Sequence, residues 1–164
     1  MTLPEQERER FCQVLHHSRT SLYRLAFSIT RNSSDAQEAV AEAVCRAYER
    51  YPQLREKEKL PRWLLKITAN EARRLCQRRG RTVSWDDLPT EPAIPGRETG
   101  DDTLWQAVQT LPRDQREAVV LFYYEDQPTE EIARIVGTSP GAVRVRLSRA
   151  REKLRSILKE GDYG

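Results

Sequence analysis

The stretch Gln127–Ile157, QPTEEIARIVGTSPGAVRVRLSRAREKLRSI, constrains the fold more than any other part of the chain. Pro128 suits the first position of a helix, where a missing N–H costs nothing, and Ile132, Ala133, Ile135 and Val136 give that short helix one apolar side. Gly137 then supplies the left-handed conformation that ends a helix. Ser139–Pro140 repeats the start signal, an N-cap oxygen followed by a residue of preset φ. In the longer helix expected from there, Val143, Leu147, Ala150, Leu154 and Ile157 make a narrow seam at helical spacing. Arg144, Arg146, Arg149, Arg151, Lys153, Arg155 and Lys159 crowd the remaining surface against a lone Glu152. A solvated charged face would explain the charge but not the tight glycine turn before it. Together they form the helix-turn-helix pattern that lays a basic recognition helix in the major groove of DNA.

At 164 residues the chain is long enough for one medium domain or two small ones. Charged residues make up 32%, so apolar material must be used economically in small helical cores. The net charge of +3 is a sum of opposite blocks, and the blocks carry the information. Cys12, Cys45 and Cys76 are odd in number and far apart, which argues for reduced thiols rather than a disulfide framework. Cys12 and His16 could share a helix face as a metal pair, but bystander side chains are the simpler reading and no metal site or cofactor is assigned. No stretch reaches the length of a membrane span and the N-terminus lacks a signal-peptide core, so a cytoplasmic protein is expected. Neither a glycine-rich phosphate loop nor a nucleophile-and-base signature is present, and no catalytic residue is assigned.

In chain order, Thr2 and Glu5 suggest a capping box around Pro4, and Phe11, Val14, Leu15, Leu22, Leu25, Ala26 and Ile29 predict one long helix, or two in line, to about Thr30. Ser34 with Gln37 suggests a second capping box. Ala39, Val40, Ala43, Val44, Ala47 and Tyr48 then predict a helix ending before Pro52. Its other side carries Asp35, Glu38, Glu42 and Glu49 against only Arg46, an acidic face that is either simply solvated or a partner surface.

After a polar loop from Gln53 to Lys59, Leu60, Trp63, Leu64 and Ile67 begin a third helix running to about Arg79. Arg62, Lys66, Asn70, Arg73 and Gln77 fall in one of its sectors. Cations suit phosphate, while Asn and Gln also bond base edges; Trp63 beside them is either a stacking surface or core. Arg81–Asp102, rich in Pro, Gly and acid, reads as a linker. Beyond it, Leu104, Ala107, Val108 and Leu111 predict a short helix ending at Pro112. A further helix to about Tyr124 has Ala118, Leu121 and Phe122 available for burial. The expected fold class is all-α: a helical unit over 1–80, a linker over 81–100, and a helix-turn-helix unit over 101–164.

Two of these stretches match one family. LYRLAFSITRNSSDAQEAVAEAVCRAYERY followed by PRWLLKITANEARRL resembles the second conserved region of bacterial sigma factors. LPRDQREAVVLFYYEDQPTEEIARIVGTSPGAVRVRLSRAREKLR resembles their fourth. Having these two regions alone, joined by a short linker, is the pattern of the small extracytoplasmic-function group. The resemblance implies a transcription initiation factor whose partners are core RNA polymerase and promoter DNA, with an anti-sigma protein as a further partner that the sequence leaves open.

Under this resemblance Asp35, Glu38 and Glu42 match the segment that docks on the largest polymerase subunit. Arg62, Trp63, Lys66, Asn70, Arg73 and Gln77 lie in or beside the part that melts and reads the minus-ten element, with the Tyr51–Pro61 loop placed to hold an extruded base. Ser139, Arg144, Val145, Arg146, Ser148 and Arg149 belong to the reader of the minus-thirty-five element. Two departures stand out: Ala41 and Val44 replace a glutamine and an aromatic common in the docking helix, and Val145 replaces a small polar residue. An ordinary helix-turn-helix regulator with a dimerising or sensing N-terminal half explains the C-terminal half equally well. It leaves the acidic face and the Asn70 sector without a role. A polymerase-binding adaptor that never touches DNA is disfavoured by the two basic faces.

Overall fold

A computed structural model describes residues 3–79 and 102–161, with side chains for 103–159 of the second segment. Thr2 and the linker expected over 81–100 lie outside the described residues. Every regular element among the described residues is helical, and the chain divides into two compact units.

The first unit is a three-helix bundle of α1 (Glu5–Thr30), α2 (Ser33–Arg50) and α3 (Leu60–Arg78). α1 is one continuous helix that buries Phe11, Leu22, Leu25, Ala26, Phe27 and Ile29. α2 buries only alanines, Ala36, Ala39, Ala43 and Ala47, and this small-residue stripe lets its backbone approach its neighbours closely. α3 contributes Leu60, Leu64, Leu65, Ile67, Ala69, Ala72 and Leu75. Between α2 and α3 the chain makes two short 3-10 turns, Tyr51–Gln53 and Lys57–Lys59, rather than an open loop.

The second unit contains α4 (Asp102–Gln109), α5 (Arg113–Val119), a π-helical turn (Val120–Tyr124), α6 (Thr129–Val136) and α7 (Pro140–Gly161). Its core gathers Trp105, Val108, Leu111, Ala118, Val119, Val120, Leu121, Ile132, Ala133 and Ile135 around the α7 seam of Val143, Leu147 and Ala150. Leu154 and Ile157, farther along the seam, are half-buried.

Several local expectations need correction. α1 starts after Pro4, which makes no side-chain cap bond, and the capping box expected of Thr2 and Glu5 rests on a residue outside the described ones. α2 is capped not by Ser34 but by Asn32, whose Oδ1 accepts from the Asp35 N–H at 2.9 Å. Arg31, at φ 56, ends α1 in the left-handed conformation and Asn32 is extended, so the chain is already helical at Ser33 and Ser34 falls inside the first turn. Pro128 precedes α6 instead of opening it: its carbonyl accepts from the Ile132 N–H at 3.0 Å, as the Pro4 carbonyl accepts from Arg8 and that of Pro112 from Arg116. Leu104 is exposed, and Trp105 takes the buried place expected for it, packed edge-on against Tyr124. The helix after Pro112 widens into a π turn at Val120, where the Glu125 N–H reaches the Val120 carbonyl. Phe122 is half-buried there.

Candidate nucleic-acid interface

Local signals set the geometry of the helix-turn-helix. Gly137 ends α6 at φ 78, and its N–H and that of Thr138 both donate to the Ala133 carbonyl, at 2.8 and 3.0 Å. A Cβ at Gly137 would meet nothing within 4 Å, so backbone conformation and not space calls for glycine here. Ser139 Oγ accepts from the Ala142 N–H at 3.1 Å, the N-cap bond expected at the start of α7.

With Val143, Leu147 and Ala150 fully turned into the core, the opposite face of α7 is fixed. Arg144, Val145, Ser148 and Arg149 lie exposed on it in an i, i+1, i+4, i+5 stripe, and Ser139 is exposed at its head. Val145 is 47% exposed, a large apolar side chain left in water at the middle of a cationic stripe. The Arg144 guanidinium lies back along the helix, 4.0 Å from where a Cβ on Gly141 would stand. Arg146 sits apart from this group. Its side chain is only 27% exposed and its Nε is 3.8 Å from Asp114 on α5.

On α3, Arg62, Lys66, Asn70 and Gln77 are exposed and Arg73 is half-buried, so the polar sector is one outward face. Trp63 is half-buried beside it. In the adjoining loop Tyr51 is entirely buried against Phe11, while Lys57 donates to the Tyr51 carbonyl at 2.6 Å and lies 4.2 Å above its ring. Tyr51 is thus core and offers no stacking surface. Burial pushes its phenol above the usual tyrosine range, and the negative charge of Glu7 adds to the effect.

The acidic face of α2 is present but already engaged. Arg79, at the end of α3, reaches Asp35 at 2.9 Å and Glu38 at 3.1 Å, and Arg78 approaches Glu38 at 3.9 Å. Asp35 is only 17% exposed. Glu42 faces Arg46 at 3.6 Å, and Arg46 also meets the buried Glu71 of α3 at 2.7 Å. Neither partner set was read from the sequence. Glu71 did carry a signal, being the one acid in the sector of Ile67, Thr68, Ala72 and Leu75, opposite the only arginine of the acidic face.

The three cysteines are free, and among the described residues no group of three His, Cys, Asp or Glu side chains is placed to hold a metal. No described helix is long and apolar enough to cross a membrane.

Comparison with known proteins follows the same division of the chain. Residues 14–82 match the family description "Sigma-70 region 2", and residues 101–154 match "Sigma-70, region 4". The chain is 32% identical over 142 residues to the RNA polymerase sigma factor SigV of Bacillus subtilis, covering 85% of this chain and 86% of that one. It is 34% identical over 148 residues to the probable RNA polymerase sigma factor RfaY of Xanthomonas campestris pv. campestris, covering 82% of this chain but 36% of that longer protein. Among solved structures it is similar to the sigma factor RpoE from Bartonella quintana, determined in complex with the anti-sigma factor NepR. The TM-score is 0.75 at 28% identity, over 94% of this chain and 99% of that one.

Proposed function

This chain belongs to the sigma-70 family as a sigma factor of the extracytoplasmic-function type, and we propose on that premise that it binds core RNA polymerase and directs it to promoters through the faces described above. The exposed stripe of Arg144, Val145, Ser148 and Arg149, with Ser139 at its head, reads the minus-thirty-five element in the major groove. Val145 meets a thymine methyl and the arginines meet phosphate or guanine. The α3 face of Arg62, Lys66, Asn70, Arg73 and Gln77, with Trp63 at its edge, melts and reads the minus-ten element. Asp35, Glu38 and Glu42 of α2 dock on polymerase.

One observation carries the reading: a capped recognition helix with an exposed cationic stripe occurs in a chain whose two halves both match sigma-70 regions, in order. An ordinary regulator would share the first feature and lack the second. The protein acts by binding and not by catalysis, and works in the cytoplasm where its polymerase and DNA partners are. An anti-sigma protein is a further partner to seek, given that the similar RpoE was solved with one.

The docking assignment is tested by Glu38→Lys with Glu42→Lys, scored by competition for core polymerase. The double reversal is expected to lose most core binding while keeping helicity and nonspecific DNA affinity, since neither residue lies on a basic face or in an apolar seam. Equal competition by the wild type and the reversed chain would remove α2 from the docking surface.

A further inference from the structure

Tyr123 sits in the π turn after α5, half in solvent at 50% exposure, with its hydroxyl accepting from the Arg151 Nε at 2.7 Å. The Arg151 guanidinium carbon is 5.8 Å from the centre of its ring. Arg151 is on α7 but beyond the reading stripe. At about 100° per residue, Arg144, Ser148, Arg151 and Arg155 share a sector roughly 60° wide along one flank of Val145. All four are exposed, and the row covers about 16 Å of helix.

The chemistry of the partner sets Arg151 apart from the arginines that face acids. Carboxylates counter Arg46, Arg79, Arg134 and Arg146. Arg151 is held through its Nε by a neutral phenol, which fixes the side chain without cancelling its charge and leaves both Nη groups for another acceptor. An oriented, uncancelled guanidinium matches the two anionic oxygens of a phosphodiester. The opposite flank of α7 lacks this arrangement, because its Arg146 faces Asp114.

We propose that Tyr123 and Arg151 form a binding site for a backbone phosphate of DNA, flanking the base-reading stripe and continued by Arg155. Tyr123 is the positioning residue and Arg151 the one that touches phosphate. The site rests on the reading of α7 as the recognition helix. It adds sequence-independent affinity and register, not base preference.

The test uses the full chain and a fluorescent duplex of mixed sequence, titrated over a potassium chloride series, with Arg149→Ala as the reference variant. Arg151→Ala is expected to lower the magnitude of the salt slope by about 0.9, the signature of one lost phosphate contact. Arg151→Lys should keep the slope and bind more weakly, because the fork is lost but the charge remains. Tyr123→Phe should also keep the slope and weaken binding, while Arg155→Ala should lower the slope as Arg151→Ala does. A slope lowered by Arg149→Ala but not by Arg151→Ala overturns the phosphate site and leaves the recognition helix in place. Unchanged slopes in both overturn the site together with the reading of α7. If Tyr123→Phe binds as the wild type does, the positioning role is wrong.

Discussion

Arg46 of α2 and Glu71 of α3 approach to 2.7 Å across the helix interface, with Glu71 only 6% exposed. The Arg46 Nε–H is not aligned for a hydrogen bond, so the contact acts as an ion pair, and Arg74 stands second to Glu71 at 3.5 Å. It joins α2 to α3, directly beside Asn70.

Removing the two partners should not cost the same. Arg46→Ala leaves a buried carboxylate with only Arg74 for compensation and is expected to destabilise the chain by about 3 kcal/mol. Glu71→Gln leaves a half-exposed arginine that can turn to Glu42 and water, and should cost about 1 kcal/mol. Urea titration followed by circular dichroism gives the order. A costlier Glu71→Gln would mean that the carboxylate is not the group stranded by burial.

Arg79 occupies two of the carboxylates proposed to dock on polymerase, and on that proposal it competes for them. Arg79 and Glu38 are both half exposed, and a pair of that kind contributes about 0–1 kcal/mol. Arg79→Gln is therefore expected to tighten core binding by at most about fivefold, and most visibly at low salt. Weaker binding would instead make Arg79 an organiser of that face.

Much of α6 and α7 was legible because its signals are local. Gly137, the Ser139–Pro140 pair and the Val143, Leu147 and Ala150 spacing each act within one or two turns. The start of α2 was less legible, since Asn32, Ser33 and Ser34 are three consecutive residues able to cap. Arg31 decides among them by where it releases the chain from α1. Hidden altogether were contacts between distant positions: Arg79 with Asp35, Arg46 with Glu71, and Arg151 with Tyr123. Composition placed these charges on faces, but only packing joined the faces. The acidic side of α2 therefore read as open when Asp35, Glu38 and Glu42 already have partners.

Tyr51 makes a prediction about alkaline pH. Burial, then the charge of Glu7, raise its phenol above 10.0, so the fold favours the neutral form. A folded value above the unfolded one means that this contribution to stability is complete below about pH 10 and is lost as pH rises through the raised value. Ultraviolet titration should show a tyrosine step above the usual tyrosine range, and Tyr51→Phe should remove that step. The substitution removes a single hydroxyl from the core, so it should cost no more than about 1 kcal/mol at neutral pH and should preserve stability above pH 10. Loss of alkaline stability in Tyr51→Phe would contradict the assignment.

Val145 should set preference at one base pair. With 47% of its surface exposed amid arginines, Val145→Ser is expected to change the favoured base at one minus-thirty-five position, at about 1–3 kcal/mol against the wrong base. Selection from a randomised minus-thirty-five library by reconstituted holoenzyme reads this directly. An unaltered preference at every position would mean that α7 meets the groove on another face.

The most direct test adds the purified chain to sigma-free core polymerase on a library of bacterial genomic fragments and sequences the 5′ ends of the transcripts. Discrete start sites are predicted, preceded by shared minus-ten and minus-thirty-five elements, and absent both without the chain and with the Glu38→Lys, Glu42→Lys variant. Fragments bound by the chain alone, with no new transcript from added polymerase, would identify an ordinary DNA-binding regulator and contradict the account.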